Sequence, residues 1–353
     1  MRYDATYSTY STYSTCSTCS THGTIGWWRT VCPTKGICLT NREAPSVDAV
    51  TRTANAIFNK SFRVQRTAKG TSTFVYRLMS GDKTYYLRIV PEPDVTFAAE
   101  VRVHHLLREA GVSVPRVVHF EDKNRRIGHS IMVVEHIGGI DLESTPPSVW
   151  TEDALERMLR EAGRQLALVN RVDIQGFGEL RHDVVSPLAG QWKTFREYYF
   201  EHLSDDVSVL TRCDLTPKQC DGAAELLETG FPVLRSIGKM GHLAHGDFDP
   251  SHVFHHEGRY TGMIDFGDMQ GSGLLYDLGH FKAHAAAAMT DALLGGYDEV
   301  RRLSREDHRA ITLWALFVGV RRLGMIDGRP RGSDHRRLVG SVRHLVGELR
   351  RRT

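Results

Sequence analysis

The spacing of hydrophobic and polar positions changes twice along the chain. Residues 6–21 repeat a Thr, Tyr and Ser pattern every three positions, which fits neither a helix nor a strand. A segment of this kind buries too little apolar surface to offset the entropy lost on ordering, so we expect residues 1–44 to be disordered. From Ser46 onward apolar residues recur at helical spacing, and Ser46 is a suitable N-cap.

After this first helix the pattern becomes typical of strands, with many β-branched and aromatic residues. The turn Ser80-Gly81-Asp82 favours a hairpin between two of them. The predicted elements are strands at Phe62–Arg66, Phe74–Met79, Thr84–Val90, Pro115–Phe120 and Ser130–Glu135, and a helix at Val95–Ala110.

From Thr151 onward the spacing is mostly helical, with one β-rich stretch at Ala244–Phe266. The predicted helices are Glu152–Val172, Trp192–Leu203, Pro217–Leu227, Leu275–Met289, Arg305–Met325 and His335–Arg351. The sequence therefore predicts an α+β fold in two lobes. Residues 45–134 would form a small lobe with an antiparallel sheet and a helix, and residues 135–353 a larger, mostly helical lobe.

Composition and charge exclude several classes of protein. No apolar run approaches the roughly 20 residues that span a bilayer, and the N-terminus lacks the apolar segment of a signal peptide. We therefore expect a cytoplasmic location and no membrane partner. The formal charge of +3 without a clustered basic stripe argues against a nucleic-acid partner. The oligomeric state has no signature in the sequence.

The six cysteines do not predict a disulfide framework in a chain of 353 residues. Cys16 and Cys19 have the spacing of a metal or redox motif. Each, however, merely takes the place of Tyr in the three-residue repeat, and we favour this simpler interpretation.

The β-rich stretch contains the residues that indicate chemistry. His245-Gly246-Asp247 precedes two short strands, and Asp265 follows them, 18 positions after Asp247. A hairpin flanked in this way can bring both carboxylates to one edge. Phosphoryl transfer uses one carboxylate to hold a metal that bridges phosphate oxygens and a second to orient the attacking hydroxyl. We assign Asp265 to the metal and Asp247 to the hydroxyl.

These motifs, His245-Gly246-Asp247 and Ile264-Asp265-Phe266-Gly267, resemble those of the aminoglycoside phosphotransferase and choline kinase superfamily, over about residues 46–350. The resemblance implies a protein-kinase-like fold, ATP and Mg²⁺ as cofactors, and a small-molecule acceptor. It also implies that backbone amides and hydroxyls of Gly70, Thr71 and Ser72 contact phosphate, although a plain hairpin turn would look the same.

Further residues of the small lobe match the resemblance. Arg88 lies where the fold has its phosphate-binding lysine, and Glu100 lies where the partner of that lysine belongs. Arginine keeps the charge but has a different reach, and the alternative is an exposed strand cation with a solvated helix Glu. The segment containing Val134 and His136 resembles the interlobe hinge, whose backbone would bind adenine.

His252 departs from the family, which usually has Asn as a second metal ligand at this position. Three interpretations remain open. His252 binds a metal such as Mn²⁺ through nitrogen, or it bonds to Asp247 and holds the loop, or the second metal site is lost. Mg²⁺ prefers oxygen, which Asp249 could supply instead.

Other polar residues near the motifs have more modest roles. We group His245 with the catalytic residues, although in this fold such a histidine more often holds the loop by bonding to backbone near Asp265. Asp277 is expected to anchor the catalytic segment. Asp268 either reaches the substrate or metal or is a solvated loop acid. A zinc site formed with His255 and His256 is disfavoured, because adjacent strand residues face opposite ways.

Three functions are compatible with these motifs. The first is an ATP-dependent kinase acting on a hydroxyl of an aminoglycoside-like antibiotic or a metabolite. A nucleotide-binding pseudokinase is the alternative, because of His252 and Arg88. A protein kinase is disfavoured, because only 12 positions separate Asp265 from Asp277. Acidic residues of the helical lobe could attract a cationic acceptor or could be solvated helix ends, namely Asp291, Asp298 and Glu299.

Overall fold

The computed structural model describes residues 43–67 and 72–351 of the chain. The first helix, α1 (Val47–Phe58), begins as the sequence predicts, with Ser46 Oγ accepting a hydrogen bond from the Ala49 N–H at 3.2 Å. The disorder predicted for residues 1–44 lies, apart from residues 43 and 44, outside the described residues.

An antiparallel five-stranded sheet with the order β1-β2-β3-β5-β4 follows α1, and α2 (Ala98–Glu109) connects β3 to β4. Each strand lies within two residues of its predicted bounds. The strands are β1 (Arg63–Arg66), β2 (Phe74–Ser80), β3 (Lys83–Ile89), β4 (Val117–Glu121) and β5 (Ile131–Glu135). The predicted hairpin is present, because Ser80 pairs with Lys83 across the Gly81-Asp82 turn.

One face of this sheet is buried under α1. Val50 and Ala54 of the helix are fully buried in the same apolar cluster as Leu78 of β2 and Leu87 of β3. The cluster fixes the face of each strand, because moving a strand by one residue would turn its apolar side chains outward. The sheet is therefore a firm base for Arg88 of β3, which alternates with Leu87 and lies on the other face.

The chain then enters a long helix, α3 (Glu152–Val169), capped by Thr151. α3 packs closely on α8 (Ala287–Val300), because glycines face backbone where the two helices meet. A Cβ on Gly163 would lie 2.1 Å from the Leu293 carbonyl oxygen, and one on Gly296 would lie 1.8 Å from that of Arg160. No larger residue fits at either position without moving a helix.

A β-hairpin between α3 and the following helices departs from the prediction of a single β-rich stretch in this region. Its strands, β8 (Phe177–Val185) and β9 (Leu188–Trp192), follow the short β7 (Asp173–Ile174). Trp192 therefore ends a strand instead of beginning a helix. The helix predicted at Trp192–Leu203 is replaced by two, α4 (Phe195–Phe200) and α5 (Leu203–Val209).

The remaining short strands form the platform of the polar motifs. They make one sheet of order β7-β10-β13-β8-β9 and a second of order β12-β11-β6. Their bounds are β6 (Ile140–Asp141), β10 (Gly241–Ala244), β11 (Val253–His256), β12 (Arg259–Met263) and β13 (Gln270–Ser272).

The other helices agree with the predictions to different degrees. α9 (Arg305–Met325) has the predicted bounds, and most of its residues are buried. α6 (Pro217–Ile237) continues ten residues beyond the predicted end and through Pro232. The helix predicted at Leu275–Met289 is two helices, α7 (Tyr276–His284) and α8, because Ala285 and Ala286 are extended. The last is α10 (Ser333–Arg351). Among the described residues, no helix has the length and apolarity needed to cross a membrane.

Candidate active site

The loop between β10 and β11 is held from beneath by α7. Asp277, fully buried at the start of that helix, accepts hydrogen bonds from the N–H groups of His245 at 2.8 Å and Gly246 at 3.0 Å. Burial nevertheless raises the pKa of Asp277 to about 6. The anchoring expected of Asp277 is therefore present.

Gly246 is required by the shape of this loop. Its φ is +88°, in the left-handed region, and a Cβ there would lie 1.8 Å from the Asp268 carbonyl oxygen. The loop thus passes against the segment that follows Asp265. This close approach brings the two sequence motifs together.

The ring of His245 is bonded to the backbone on both sides. It is fully buried, its Nε2 lies 2.8 Å from the Ile264 carbonyl oxygen, and its Nδ1 accepts a hydrogen bond from the Asp247 N–H at 3.4 Å. Burial lowers its pKa to about 4, so the ring is neutral near pH 7. This geometry favours the loop-holding interpretation of His245, because backbone groups are the partners of both ring nitrogens.

The side-chain contacts of the Asp247 carboxylate involve a single oxygen. Its Oδ1 forms an ion pair with Arg322 of α9 and lies 3.3 Å from Nε2 of the buried His280 on α7. Burial alone would raise the pKa of Asp247, but His280 and Arg322 outweigh it and hold the pKa well below the usual range. Asp247 is therefore ionised, and its orientation is fixed.

Asp265 follows β12 and faces the amino-terminal sheet. Its Oδ1 accepts a hydrogen bond from Arg88 Nη2 at 3.1 Å, and about half of its side chain is exposed. A Cβ on Gly267 would lie 3.3 Å from that oxygen and 4.0 Å from Ser72 Oγ. Ser72 therefore borders Asp265, while Gly70 and Thr71 lie outside the described residues.

His252 lies between the backbone of Asp247 and the carboxylate of Asp265. Its Nδ1 lies 2.7 Å from the Asp247 carbonyl oxygen and its Nε2 lies 4.0 Å from Asp265 Oδ2. Because the partner of Nδ1 is an acceptor, that nitrogen carries the proton. Burial acts to lower the pKa of His252, but the carboxylates of Asp249, Asp247 and Asp265 outweigh it and raise the pKa.

This arrangement suits the second interpretation of His252 and keeps the first open. The ring holds the Asp247 backbone through Nδ1, which leaves Nε2 to face Asp265. Metal-binding histidines characteristically donate their other ring N–H to an acceptor in this way. Asp249 is less suited as a ligand, because its Oδ1 already accepts hydrogen bonds from the N–H and Oγ of Ser251, at 2.8 and 2.6 Å.

The expected pair between Arg88 and Glu100 is present. Arg88 of β3 forms a buried ion pair with Glu100 of α2, in addition to its bond with Asp265. Burial acts to raise the pKa of Glu100, but Arg88 and the nearby His104 lower it to about 2. The Arg88 guanidinium is thus held between the carboxylates of Glu100 and Asp265.

The hinge residues Val134 and His136 lie at the end of β5 and just beyond it. The His136 N–H donates to the Thr84 carbonyl oxygen at 3.2 Å, and Val134 pairs with Tyr86. A nucleotide could take the N–H of His136 only by breaking its bond to Thr84.

The histidines considered for zinc are dispersed. His255 Nε2 lies 2.8 Å from Thr145 Oγ1, and its ring packs on Trp150. Within residues 43–67 and 72–351, no group of three or more His, Cys, Asp or Glu side chains is placed to hold a metal ion. The two residues predicted as metal ligands approach each other, with Nε2 of His252 4.0 Å from Asp265 Oδ2.

Comparison with known families agrees with this geometry. The family model described as the phosphotransferase enzyme family matches residues 63–314, from β1 into α9. The chain belongs to the phosphotransferase enzyme family. It is a small-molecule phosphotransferase of that family. No curated protein sequence matches this phosphotransferase.

Solved structures share the fold at low identity. Aminoglycoside phosphotransferase APH(4)-Ia, solved with ADP and hygromycin B, matches with a TM-score of 0.63 and 17% identity over 85% of this chain and 98% of its own. A putative fructosamine-3-kinase from Thermobifida fusca matches with a TM-score of 0.58 and 18% identity, covering 86% and 100%. Macrolide 2'-phosphotransferase MphH from Brachybacterium faecium matches with 0.54 and 18%, covering 84% and 97%.

A cavity of about 330 Å³ opens beside the catalytic loop of the phosphotransferase. Asp249 and Pro250 of the loop line one side, and Trp150 and Met289 line others. His284 also borders the cavity, and its ring stacks on that of His280 at 4.5 Å. This cavity therefore lies next to the loop that carries Asp247.

Two contacts of the phosphotransferase site are absent from the sequence prediction. Arg322 lies 75 positions after Asp247, on a helix whose apolar pattern indicates only burial. His280 follows Asp277 by one helical turn, and this i, i+3 spacing is the one signal that could have placed it near the loop. Glu299 pairs with two arginines and Asp298 with Arg302, and neither acid lines the cavity beside the loop.

Proposed function

We propose that the protein transfers the γ-phosphoryl group of ATP to a hydroxyl of a small molecule. The observation that carries this proposal is His252, which touches the Asp247 backbone and lies 4.0 Å from Asp265, so that two carboxylates share one site. In this proposal residues 45–134 bind the nucleotide, and residues 135–353 carry the catalytic loop and the acceptor site.

Each side chain has one task in the proposed transfer. The acceptor oxygen bonds to the γ-phosphorus, the bond from that phosphorus to the β–γ bridging oxygen breaks, and ADP leaves. Asp247 accepts the hydrogen bond of the acceptor hydroxyl and receives its proton as the new bond forms. Arg88, held by Glu100, offers positive charge to the phosphates.

The low pKa of Asp247 is compatible with this task. A loose transition state develops little negative charge on the attacking oxygen, so the carboxylate chiefly orients the hydroxyl. Asp265 would hold Mg²⁺, with Nε2 of His252 as a second ligand that also suits Mn²⁺. When bound, the metal offsets negative charge on the phosphate oxygens.

The cavity beside the catalytic loop is the proposed acceptor site. Its volume of about 330 Å³ is in the range of small-molecule sites. Trp150, Leu155 and Met289 offer apolar contact, and Glu143 and Asp249 offer carboxylates. The three related enzymes are named for an aminoglycoside, a fructosamine and a macrolide, so we propose an aminoglycoside-like antibiotic or a metabolite as the acceptor.

The proposal is tested by ADP release from Mg²⁺-ATP with a panel of aminoglycosides, macrolides, choline, homoserine and sugar amines. Asp247→Ala and Asp265→Ala should each lower kcat by at least about 100-fold without unfolding the protein. Asp221→Ala, which removes an exposed carboxylate on α6, is the matched control. Unchanged turnover in Asp247→Ala would exclude the proposed role of that residue.

A nucleotide-binding pseudokinase is the second candidate, because His252 and Arg88 both depart from the usual residues. Thermal unfolding with ATP and Mg²⁺ or Mn²⁺ separates the two. Stabilisation by nucleotide without ADP release across the whole panel favours the pseudokinase. Faster turnover in His252→Asn would indicate that the imidazole limits an active enzyme.

A further inference from the structure

Arg322 reaches the catalytic loop from the last turn of α9. Its Nη2 forms the ion pair with Asp247 Oδ1 and lies 3.2 Å from His280 Nε2. About a quarter of its side chain is exposed. One guanidinium nitrogen is thus shared between the proposed catalytic carboxylate and a buried ring.

His280 fixes this guanidinium relative to the loop backbone. Its Nδ1 lies 3.0 Å from the Phe248 carbonyl oxygen, so Nδ1 carries a proton. Its Nε2 lies 3.2 Å from Arg322 Nη2 and 3.3 Å from Asp247 Oδ1, so the ring contacts both members of the ion pair. His280 is fully buried and itself holds the loop. Arg322 therefore cannot shift relative to Asp247 without losing its contact with His280.

The two carboxylate oxygens of Asp247 therefore differ in their contacts. Arg322 and His280 both approach Oδ1, and within the described part of the chain no hydrogen bond reaches Oδ2. We propose that Arg322 is a positioning residue that holds Oδ1 so that Oδ2 is presented to the acceptor hydroxyl. This inference rests on the proposed function.

The negative charges around Asp247 explain why a cation is needed beside it. Asp268 and Asp249 lie close enough to Arg322 to act on its charge, and burial together with the charge of Asp247 raises the pKa of Asp268. Without Arg322, Asp247 would lie among like charges with His280 as its only side-chain partner in the described region. Repulsion would then favour rotation of the carboxylate away from the attack position.

The test compares Arg322→Gln and Arg322→Lys with Arg321→Gln. Arg321 is the adjacent residue on α9 and pairs with Asp206 instead. Turnover is measured with the best acceptor of the panel and, separately, with water. Arg322→Gln should lower kcat by about 10- to 100-fold with the KM for ATP within about twofold, because only the orientation of the base changes. Arg322→Lys should recover part of the loss, and Arg321→Gln should match wild type.

Two further measurements separate positioning from a merely structural role. Guanidinium ion added to Arg322→Ala should restore part of kcat. Deuterium uptake over residues 245–252 should rise in Arg322→Gln and not in Arg321→Gln. A kcat for Arg322→Gln within about twofold of wild type would overturn the inference.

Failure of the proposed function gives a different result. A wild-type protein that binds nucleotide and releases no ADP would refute the phosphoryl transfer. Deuterium uptake then decides the inference about Arg322 alone. Equal uptake over residues 245–252 in wild type and Arg322→Gln would overturn it, and higher uptake in the variant would support it.

Discussion

The carboxylate of Asp277 accepts hydrogen bonds from two consecutive backbone N–H groups, those of His245 and Gly246. It is fully buried, and its pKa of about 6 lies above the usual value. A charged carboxylate is therefore retained at the base of the catalytic loop despite the cost of burial. Its two oxygens fix the loop that carries Asp247.

Asp277→Asn should destabilise the protein by about 1–3 kcal/mol at pH 7, because the amide nitrogen cannot accept the second N–H. The effect also depends on pH. When folding raises the pKa of an acid, the acid contributes its full stability at a pH below its pKa in the unfolded chain. This contribution is lost as the pH rises through its pKa in the folded protein.

Wild type should therefore lose stability, on the order of 3 kcal/mol, between about pH 4 and pH 6 from this group. Asparagine does not titrate. The stability difference between wild type and Asp277→Asn should narrow over the same range in urea unfolding. A difference that stays constant or widens would contradict the assignment of the raised pKa to Asp277.

Gly246→Ala should abolish turnover and destabilise the protein by more than about 2 kcal/mol. The added Cβ meets the Asp268 carbonyl oxygen, and the backbone is already left-handed. Gly340→Ala is a suitable control, because Gly340 lies on α10 with open space around it. That change should stabilise the helix by up to about 1 kcal/mol. Equal stability of the two variants, measured by chemical unfolding, would contradict this account.

Arg88→Lys should raise the KM for ATP by about threefold to tenfold, because an ammonium cannot bond to Glu100 and Asp265 as the guanidinium does. Arg88→Met should have a larger effect, since it leaves Glu100 buried without its cation. Steady-state kinetics at varied ATP measures both. Lys83→Met, which removes an exposed cation of the same strand, should leave the KM unchanged.

Ala286→Phe should raise the KM for the acceptor by about tenfold and leave the KM for ATP unchanged. Ala286 lines the cavity proposed for the acceptor, so a ring there would fill part of it. The corresponding control is Ala288→Phe, which adds the same ring at an exposed position of α8. Acceptor kinetics that do not respond to Ala286→Phe would place the acceptor elsewhere.

The sequence predicts those parts of the site that lie close together along the chain. His245 to Asp265 is one hairpin, so the proximity of its ends follows from local pairing, and the five strands of the first sheet follow from strong strand patterns. The β8–β9 hairpin was not predicted, because few of its residues are apolar and buried. Arg322 was not predicted either, since only tertiary packing brings α9 to Asp247.

The spacing of polar side chains along α7 matches the course of the catalytic loop. Asp277, His280 and His284 are three and four residues apart, so the same side of the helix meets the loop amides, then the Phe248 carbonyl and Asp247, and then the cavity. Inserting one residue after Asp277 would turn the later two by about 100° and break the alignment. The length of this one helix thus sets the distance between the anchor of the loop and the place proposed for its substrate.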